Sequence, residues 1–191
     1  MTGSADSGTT DDQQRPEGVS TVAHKPGRDL GDPKELLLGF LDYYRLVIIG
    51  KVDGLTDAQL RASRLPSGWT PLELVKHLAY MERRWLRWGF RAEQLPDPHG
   101  DEDPAGHWHA GPGDSAASLI GALRAAGEQT RAIACAAELT DISTPGGRFS
   151  DSDPRPLPTL AWILIYVLQE YARHAGHLDV ARELIDGATG E

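Results

Sequence analysis

The sequence predicts an all-α protein folded as a four-helix bundle. Four long segments place apolar residues at the three- and four-residue spacing of a helix buried on one side. Each segment starts at a residue type that caps helices, and stretches rich in Pro and Gly separate the segments. Helices of this length joined by loops pack most simply around one shared core.

Composition limits the function before any motif is considered. The 191 residues are 40% apolar, which is enough for one domain. A net charge of −9 and the lack of a basic stripe argue against a nucleic-acid partner. The longest apolar run, residues 160–168, is far shorter than the ~20 residues that cross a bilayer, so no membrane partner is expected. A single cysteine, Cys135, predicts no internal disulfide and a small buried side chain. With no leader at the start, we expect a cytoplasmic protein.

Residues 1–30 are predicted to be a disordered tail, because they are polar and rich in Gly and Pro. The bundle domain is predicted over residues 31–188. Its first helix begins with Asp32 as the N-cap and Pro33 at the first helical position. It extends to about Lys51.

A short helix and the second long helix are predicted next. Thr56 opens a capping box, and its helix should end near Arg64. Thr70, followed by Pro and by Glu at the third helical position, is a stronger start. This second long helix carries His77, and its apolar side reaches Trp88.

Two long connections frame the remaining helices. Residues 95–113 are predicted to be a loop, after which Asp114 or Ser115 caps a third long helix. Residues 140–157 form another irregular connection. The fourth helix begins at residue 158 or 159 and ends at about residue 186, where a glycine stops it.

The fourth helix carries the residues that point to chemistry. Glu170, His174 and His177 lie on one stripe, since a rotation of about 100° per residue places them within roughly 60° of one another. A carboxylate on a buried stripe needs a cation or strong donors to stay ionised. His77 on the second long helix can supply a histidine from the opposite side. We therefore predict that His77, Glu170 and His174 bind one divalent metal ion and leave a position for water or substrate.

Other interpretations of these residues differ in strength. A ferritin-type di-iron site requires Glu-x-x-His pairs, but Arg173 stands at that spacing from Glu170. The His-Glu-x-x-His motif of zincins is absent. Mononuclear iron uses the same ligand types as zinc and stays open. Neutralisation of Glu170 by Arg173, without any metal, is the structural alternative.

Three further residues are candidates around the metal. His177 is a candidate fourth ligand, hydrogen-bond partner of a ligand, or general base, and we favour the last two because a catalytic metal keeps an open position. It is therefore the candidate catalytic residue. Tyr80 and Arg84 share the helix face of His77 and are candidate substrate-binding residues, with a plain surface role as the equal alternative. Arg84 would suit a substrate carboxylate.

Two sequence blocks resemble a known family. The first is Gly68-Trp69-Thr70 leading into His77-Leu78-Ala79, and the second is Glu170-Tyr171-Ala172-Arg173-His174-Ala175-Gly176-His177 leading into Arg182-Glu183-Leu184-Ile185-Asp186-Gly187. Both resemble the DinB-like superfamily, which includes mycothiol-dependent maleylpyruvate isomerase and related thiol S-transferases. The resemblance spans about residues 33–187, and the second block is similar to a largely actinobacterial branch.

The resemblance implies a DinB-like four-helix bundle with one divalent metal ion, commonly zinc or nickel. A histidine of the second helix and two residues of the last long helix hold the ion in this family. On that pattern His77, Glu170 and His174 are the ligands, and Glu-x-x-x-His is the isomerase type of spacing. His177 stands where other members often have Gln. The second domain of the isomerase type has no counterpart in this chain.

Three functions follow from these residues and the resemblance. The leading hypothesis is a metal-dependent transferase that conjugates a low-molecular-weight thiol, mycothiol by the resemblance, to an electrophilic small molecule. The metal would lower the thiol pKa, and the loops at residues 95–113 and 140–157 would close over the site. The alternatives are a non-catalytic stress-response protein that binds metal and ligand, and a metal-dependent hydrolase or isomerase. The amphipathic helices are also compatible with a homodimer.

Overall fold

The computed structural model describes residues 23–150 and 152–190. The fold is all-α, as predicted, and the part of the chain that is described contains no β-strand. The helices are α1 (Pro33–Val52), α2 (Asp57–Leu60), α3 (Pro71–Arg83), α4 (Ala116–Cys135) and α5 (Leu160–Asp186). Helix α3 continues directly into a π-helical segment, Arg84–Phe90.

The predicted starts of the long helices are confirmed in atomic detail. The side chains of Asp32, Thr70, Ser115 and Thr159 each accept a hydrogen bond from the backbone N–H three residues later, at 2.8, 3.3, 3.2 and 3.3 Å. Each cap satisfies a backbone donor that the first turn leaves without a partner. Helix α5 ends at Gly187, whose φ of 78° is the left-handed conformation that glycine adopts without strain.

The core lies between the four long helices. Helix α1 packs against α5, and α3 packs against α4. Leu41, Leu78, Leu123 and Leu164, one from each long helix, are fully buried. The helices thus share a single apolar centre. None of the described helices combines the length and the apolar character that a membrane crossing requires.

Some local predictions differ from the structure. Helix α2 ends at Leu60, not near Arg64, because the Ser63 side chain bonds the backbone of Leu65 and offers it an alternative to the helix. Cys135 is exposed, not buried, since α4 ends there. Most of the predicted tail, residues 1–22, lies outside the described residues. Residues 23–30 are irregular, with one turn.

The π-helical segment is the feature that the periodicity of the second long helix did not predict. The Arg91 N–H bonds the Leu86 carbonyl at 3.1 Å, one residue further back than in an α-helix. A Cβ at Gly89 would lie only 3.1 Å from the Arg84 carbonyl oxygen and 3.1 Å from the Phe149 ring. The Trp88 carbonyl of this segment accepts a hydrogen bond from the backbone N–H of Arg148, which lies in a later loop.

A buried polar cluster joins all four long helices. Glu82 of α3 is completely buried, and its Oε2 accepts hydrogen bonds from the Tyr171 hydroxyl of α5 at 2.6 Å and from Nε of Arg45 of α1 at 3.1 Å. A second Arg45 nitrogen donates to Glu82 Oε1. On α4, Gly127 makes room for the guanidinium, because a Cβ there would lie 2.7 Å from Arg45 Nε. The cluster therefore fixes the rotation and height of these helices relative to one another.

We expect Glu82→Ala to lower the free energy of unfolding by about 3–5 kcal/mol, since it removes the buried partner of Arg45 and leaves the guanidinium only the half-exposed Asp42. Tyr171→Phe should cost only about 1 kcal/mol, because it removes one hydrogen bond to Glu82. Urea denaturation monitored by circular dichroism measures both losses. The control is Glu93→Ala, which removes the half-exposed partner of Arg87 and should cost about 1 kcal/mol or less. Equal effects of Glu82→Ala and Glu93→Ala would contradict the role of the cluster.

Candidate metal centre

The side chains of His77, Glu170 and His174 converge between α3 and α5. One ligand atom of each lies within 4.8 Å of the others, as one shared ion requires. Glu170 and His174 are one turn apart on α5, and His77 faces them from α3. The side chains of His77 and His174 are 12% and 6% exposed, and that of Glu170 is 19% exposed. The cluster therefore lies just below the surface, within reach of a small molecule.

The orientation of His77 leaves one nitrogen available to a metal. Its Nδ1 lies 3.2 Å from Oδ2 of Asp101, which is completely buried. A carboxylate accepts hydrogen bonds, so Nδ1 carries the proton and Nε2 has the free lone pair. His77 Nε2 is buried and has no hydrogen-bond partner among the described residues. Buried polar atoms rarely stay unpaired, and a metal ion at this point would satisfy the lone pair.

Asp101 is itself held in place by Arg84. Two guanidinium nitrogens of Arg84 donate to the two carboxylate oxygens, the longer contact being 3.0 Å, and one also donates to the Pro98 carbonyl at 3.1 Å. Burial raises the pKa of Asp101, but hydrogen bonds and charges from His77 and Arg84 outweigh burial and leave the pKa below its ordinary value of 3.8. Asp101 is thus ionised and able to fix the tautomer of His77.

The loop at residues 95–113 packs against the cluster. The Trp108 ring stacks on His77, with centroids 4.1 Å apart and 22° between the planes, and lies 5.2 Å from the His174 ring. Trp108 and Glu102 form an isolated bridge that closes the loop. The loop therefore supplies an aromatic wall as well as Asp101.

His174 has a neighbour at each ring nitrogen. Its Nε2 lies 3.3 Å from Glu170 Oε2, and its Nδ1 lies 3.2 Å from Nδ1 of His177. Burial, followed by the charges of His77, His177 and Arg173, lowers the pKa of His174 to about 3. His174 is therefore neutral near pH 7, the form in which histidine binds metals. His177 lies outside the converging set.

The two predicted substrate-binding residues occupy different environments. Arg84 is only 5% exposed, and its guanidinium binds Asp101, so the structure gives it a protein carboxylate where a substrate carboxylate was predicted. Tyr80 is half-buried beside the same loop, with the Arg83 guanidinium 4.8 Å from its ring centre. Its role toward substrate stays a prediction.

Asp101 and Trp108 are the residues near the cluster that sequence reasoning missed. Both come from a loop without periodicity, and Asp101 is one of several aspartates there. Its neighbours in the sequence carry no signal that separates it from Asp97 or Asp103. The only signal was the length of the loop, since long loops in compact domains are often functional.

One family model matches this chain. It is described as Mycothiol-S-transferase and matches residues 36–187, which include every residue of the cluster. The model belongs to the DinB-like superfamily. No curated protein matches the chain.

If the cluster binds a divalent ion, we expect the purified protein to contain about one equivalent of metal and His77→Ala to lose it. Elemental mass spectrometry of untagged protein measures the content. His107→Ala is the control, because His107 is 80% exposed in the neighbouring loop and should retain the metal. Asp101→Asn should weaken affinity about 10- to 100-fold without abolishing binding, since it alters the hydrogen bonds to His77 and Arg84 but removes no proposed ligand. Full occupancy in His77→Ala would refute the ligand set.

Proposed function

The chain belongs to the mycothiol-S-transferase family, and we propose that it conjugates a low-molecular-weight thiol, mycothiol, to an electrophilic small molecule in a metal-dependent reaction. The observation that carries the metal dependence is the buried, unpaired Nε2 of His77, which lies in one cluster with the donor atoms of Glu170 and His174. A buried nitrogen without a partner is costly, and an ion held together with Glu170 and His174 would give it one.

We assign His77, Glu170 and His174 as the residues that hold the ion. Two imidazoles and one carboxylate suit zinc best, and nickel and iron accept the same ligand types. When bound, a divalent ion with an open position lowers the pKa of a thiol so that the nucleophilic thiolate exists near neutral pH. The ring of Trp108 limits the space beside the two histidines and excludes water from one side of the site.

The transfer step consumes only the two substrates and needs no oxidant or reductant. The thiol loses its S–H proton, and its sulfur forms a bond to an electrophilic carbon. That carbon either expels a leaving group, in which case the thiol proton is released to solvent, or passes the electron pair to a neighbouring atom that takes up the proton. Asp101 contributes by keeping His77 in one tautomer and one orientation, and Arg84 contributes by keeping Asp101 in place.

We propose a more specific role for His177 than that of a general base. If His174 uses Nε2 as the ligand atom, its Nδ1 carries a proton and donates to Nδ1 of His177. The Nε2 of a neutral His177 then carries a proton and cannot accept another. This tautomer favours His177 as the residue that orients His174, by analogy with Asp101 and His77.

The proposed function is tested by thiol consumption. Purified protein loaded with zinc is mixed with mycothiol and 1-chloro-2,4-dinitrobenzene, and chloride release and loss of free thiol are followed together. We expect both to proceed in parallel and to fall at least about 100-fold in Glu170→Ala, which lacks a proposed ligand. His107→Ala should react like the wild type.

Other outcomes of this assay identify the alternatives. Binding of thiol and electrophile with no consumption, across a panel of electrophiles, would indicate a protein that sequesters ligands. Turnover of an ester with no thiol present would indicate a metal-dependent hydrolase. Either result would replace the transferase proposal.

The role of His177 is tested by a pair of variants. Asn retains an acceptor near the position of His177 Nδ1 but cannot act as a base, whereas Ala retains neither function. If His177 orients His174, His177→Asn should keep most of the transfer rate and metal content, and His177→Ala should lose about tenfold in metal affinity. An equally large loss of kcat in both variants, with unchanged metal content, would instead identify a general base.

A further inference from the structure

A cleft lined by aromatic residues has no role in the mechanism above, and no residue of the metal cluster lines it. Its volume is about 680 Å³, within the range of small-molecule sites. It lies between the π-helical segment, the connection before α5 and the first turn of α5. The walls that matter most are Trp85, Trp88, Phe149 and Trp162, with Arg148 and Arg155 as the cationic members.

The aromatic side chains form one continuous apolar surface. The ring centre of Trp85 lies 5.8 Å from that of Phe149 and 5.7 Å from that of Trp162. Trp162 is half exposed although it is a large apolar side chain. Clustered indole and phenyl rings that face a cavity favour a planar or aromatic ligand.

Arg148 is the cationic side chain of this cleft that forms no ion pair with any described residue. Its guanidinium lies 4.3 Å from the ring centre of Trp85, and among the described residues it has neither an ion pair nor a side-chain hydrogen bond. Burial lowers the pKa of Arg148, and the charge of Arg84 lowers it further, against smaller opposite effects of Tyr166 and Glu102. A partly buried cation in this situation is stabilised by an anion, and a carboxylate matches its geometry.

Arg155 provides the contrast within the same cleft. Its side chain is 84% exposed, and it donates to both carboxylate oxygens of Asp153, at 3.0 and 2.7 Å. Arg155 therefore has a carboxylate partner already, whereas no carboxylate of the described residues pairs with Arg148.

The position of Arg148 is fixed by the π-helical segment. Its backbone N–H donates to the Trp88 carbonyl at 3.1 Å, and the Thr144 N–H donates to the Phe90 carbonyl at 2.9 Å. The residue before it must be glycine, because a Cβ at Gly147 would collide with the same Trp88 carbonyl. The loop is thus held against the segment, and Arg148 is placed before any ligand arrives.

One face of α5 connects the cleft to the metal cluster. Trp162, Tyr166 and Glu170 follow one another at four-residue spacing and so share one helix face. Tyr166 stacks on Trp162 with ring centres 5.4 Å apart, and burial together with the Glu170 charge raises the pKa of Tyr166. Eight residues of helix span about 12 Å, the distance along α5 from Trp162 toward Glu170.

We propose that this cleft binds the electrophilic co-substrate, and that the co-substrate is a planar or aromatic acid whose carboxylate binds Arg148. The assignment as co-substrate rests on the proposed transferase function, whereas recognition of an aromatic acid rests on the cleft alone. The ring would stack among the indoles, and the reactive carbon would extend along α5 toward Glu170.

The test uses 1-naphthoate and its uncharged relative 1-naphthamide, titrated into the full-length protein by isothermal calorimetry. We expect the wild type to bind naphthoate at least about tenfold more tightly than the amide, as one charge-assisted pair implies. Arg148→Met, which keeps an apolar stem, should lose this preference. Arg155→Met, the matched control, should keep it. No preference in the wild type, or an equal preference in Arg148→Met, would overturn the proposal.

The same titration separates this inference from the transferase function. Repeated with His174→Ala, it should give unchanged naphthoate affinity, because the carboxylate site needs neither metal nor thiol. Arg148-dependent binding together with a failed thiol assay would leave the acid-binding cleft intact and refute its use in thiol transfer. A successful thiol assay without Arg148-dependent binding would refute the cleft alone.

Discussion

The buried contact among Arg45, Glu82 and Tyr171 is the interaction on which the functional geometry depends. Apolar helix faces tolerate small rotations and shifts, but a carboxylate that accepts hydrogen bonds from a guanidinium and a phenol does not. Tyr171 directly follows Glu170, and Glu82 lies on the same helix as His77. Fixing these two helices at the polar cluster therefore fixes where the side chains of the candidate metal centre meet. Burying the charges is costly, so the cluster's contribution is best understood as specificity of packing.

A second layer of support comes from the long loop between the π-helical segment and α4. Asp101 accepts hydrogen bonds from both Arg84 and His77. The position of the Arg84 side chain therefore helps to determine that of the His77 ring. Without this carboxylate His77 could adopt either tautomer, and the lone pair that faces Glu170 and His174 would be present only part of the time. Trp108 packs on the same imidazole and restricts its rotation. The loop thus restricts the orientation of His77 relative to the two other converging side chains.

The sequence predicted what depends on local rules and short periodicities. Asp32, Thr70, Ser115 and Thr159 could be identified as caps because capping involves residues three apart. The proximity of Glu170 and His174 follows from helix geometry alone. The prediction that His77 lies close to both required only that the helices form a bundle.

The remaining features depend on contacts between segments far apart in the chain. In the π-helical segment Arg84–Phe90, a distant loop donates a hydrogen bond to the Trp88 carbonyl and Phe149 packs on Gly89. Helical periodicity cannot indicate such a partner. The sequence predicts substrate binding for Arg84 because Arg84 shares the helix face of His77. The loop that brings Asp101 to Arg84 has no recognisable pattern in the sequence.

The π-helical segment links the metal cluster to the aromatic cleft. Its first residue, Arg84, holds Asp101 and through it His77, while the Trp88 carbonyl holds the backbone of Arg148. A regular α-helical pitch would rotate Trp88 relative to α5. The segment therefore contacts both the side chain that binds Asp101 and the loop that carries Arg148. In the proposed reaction the thiol and the electrophile must be held at a set separation, and the main chain of Arg84–Phe90 connects the two places where we propose that they bind.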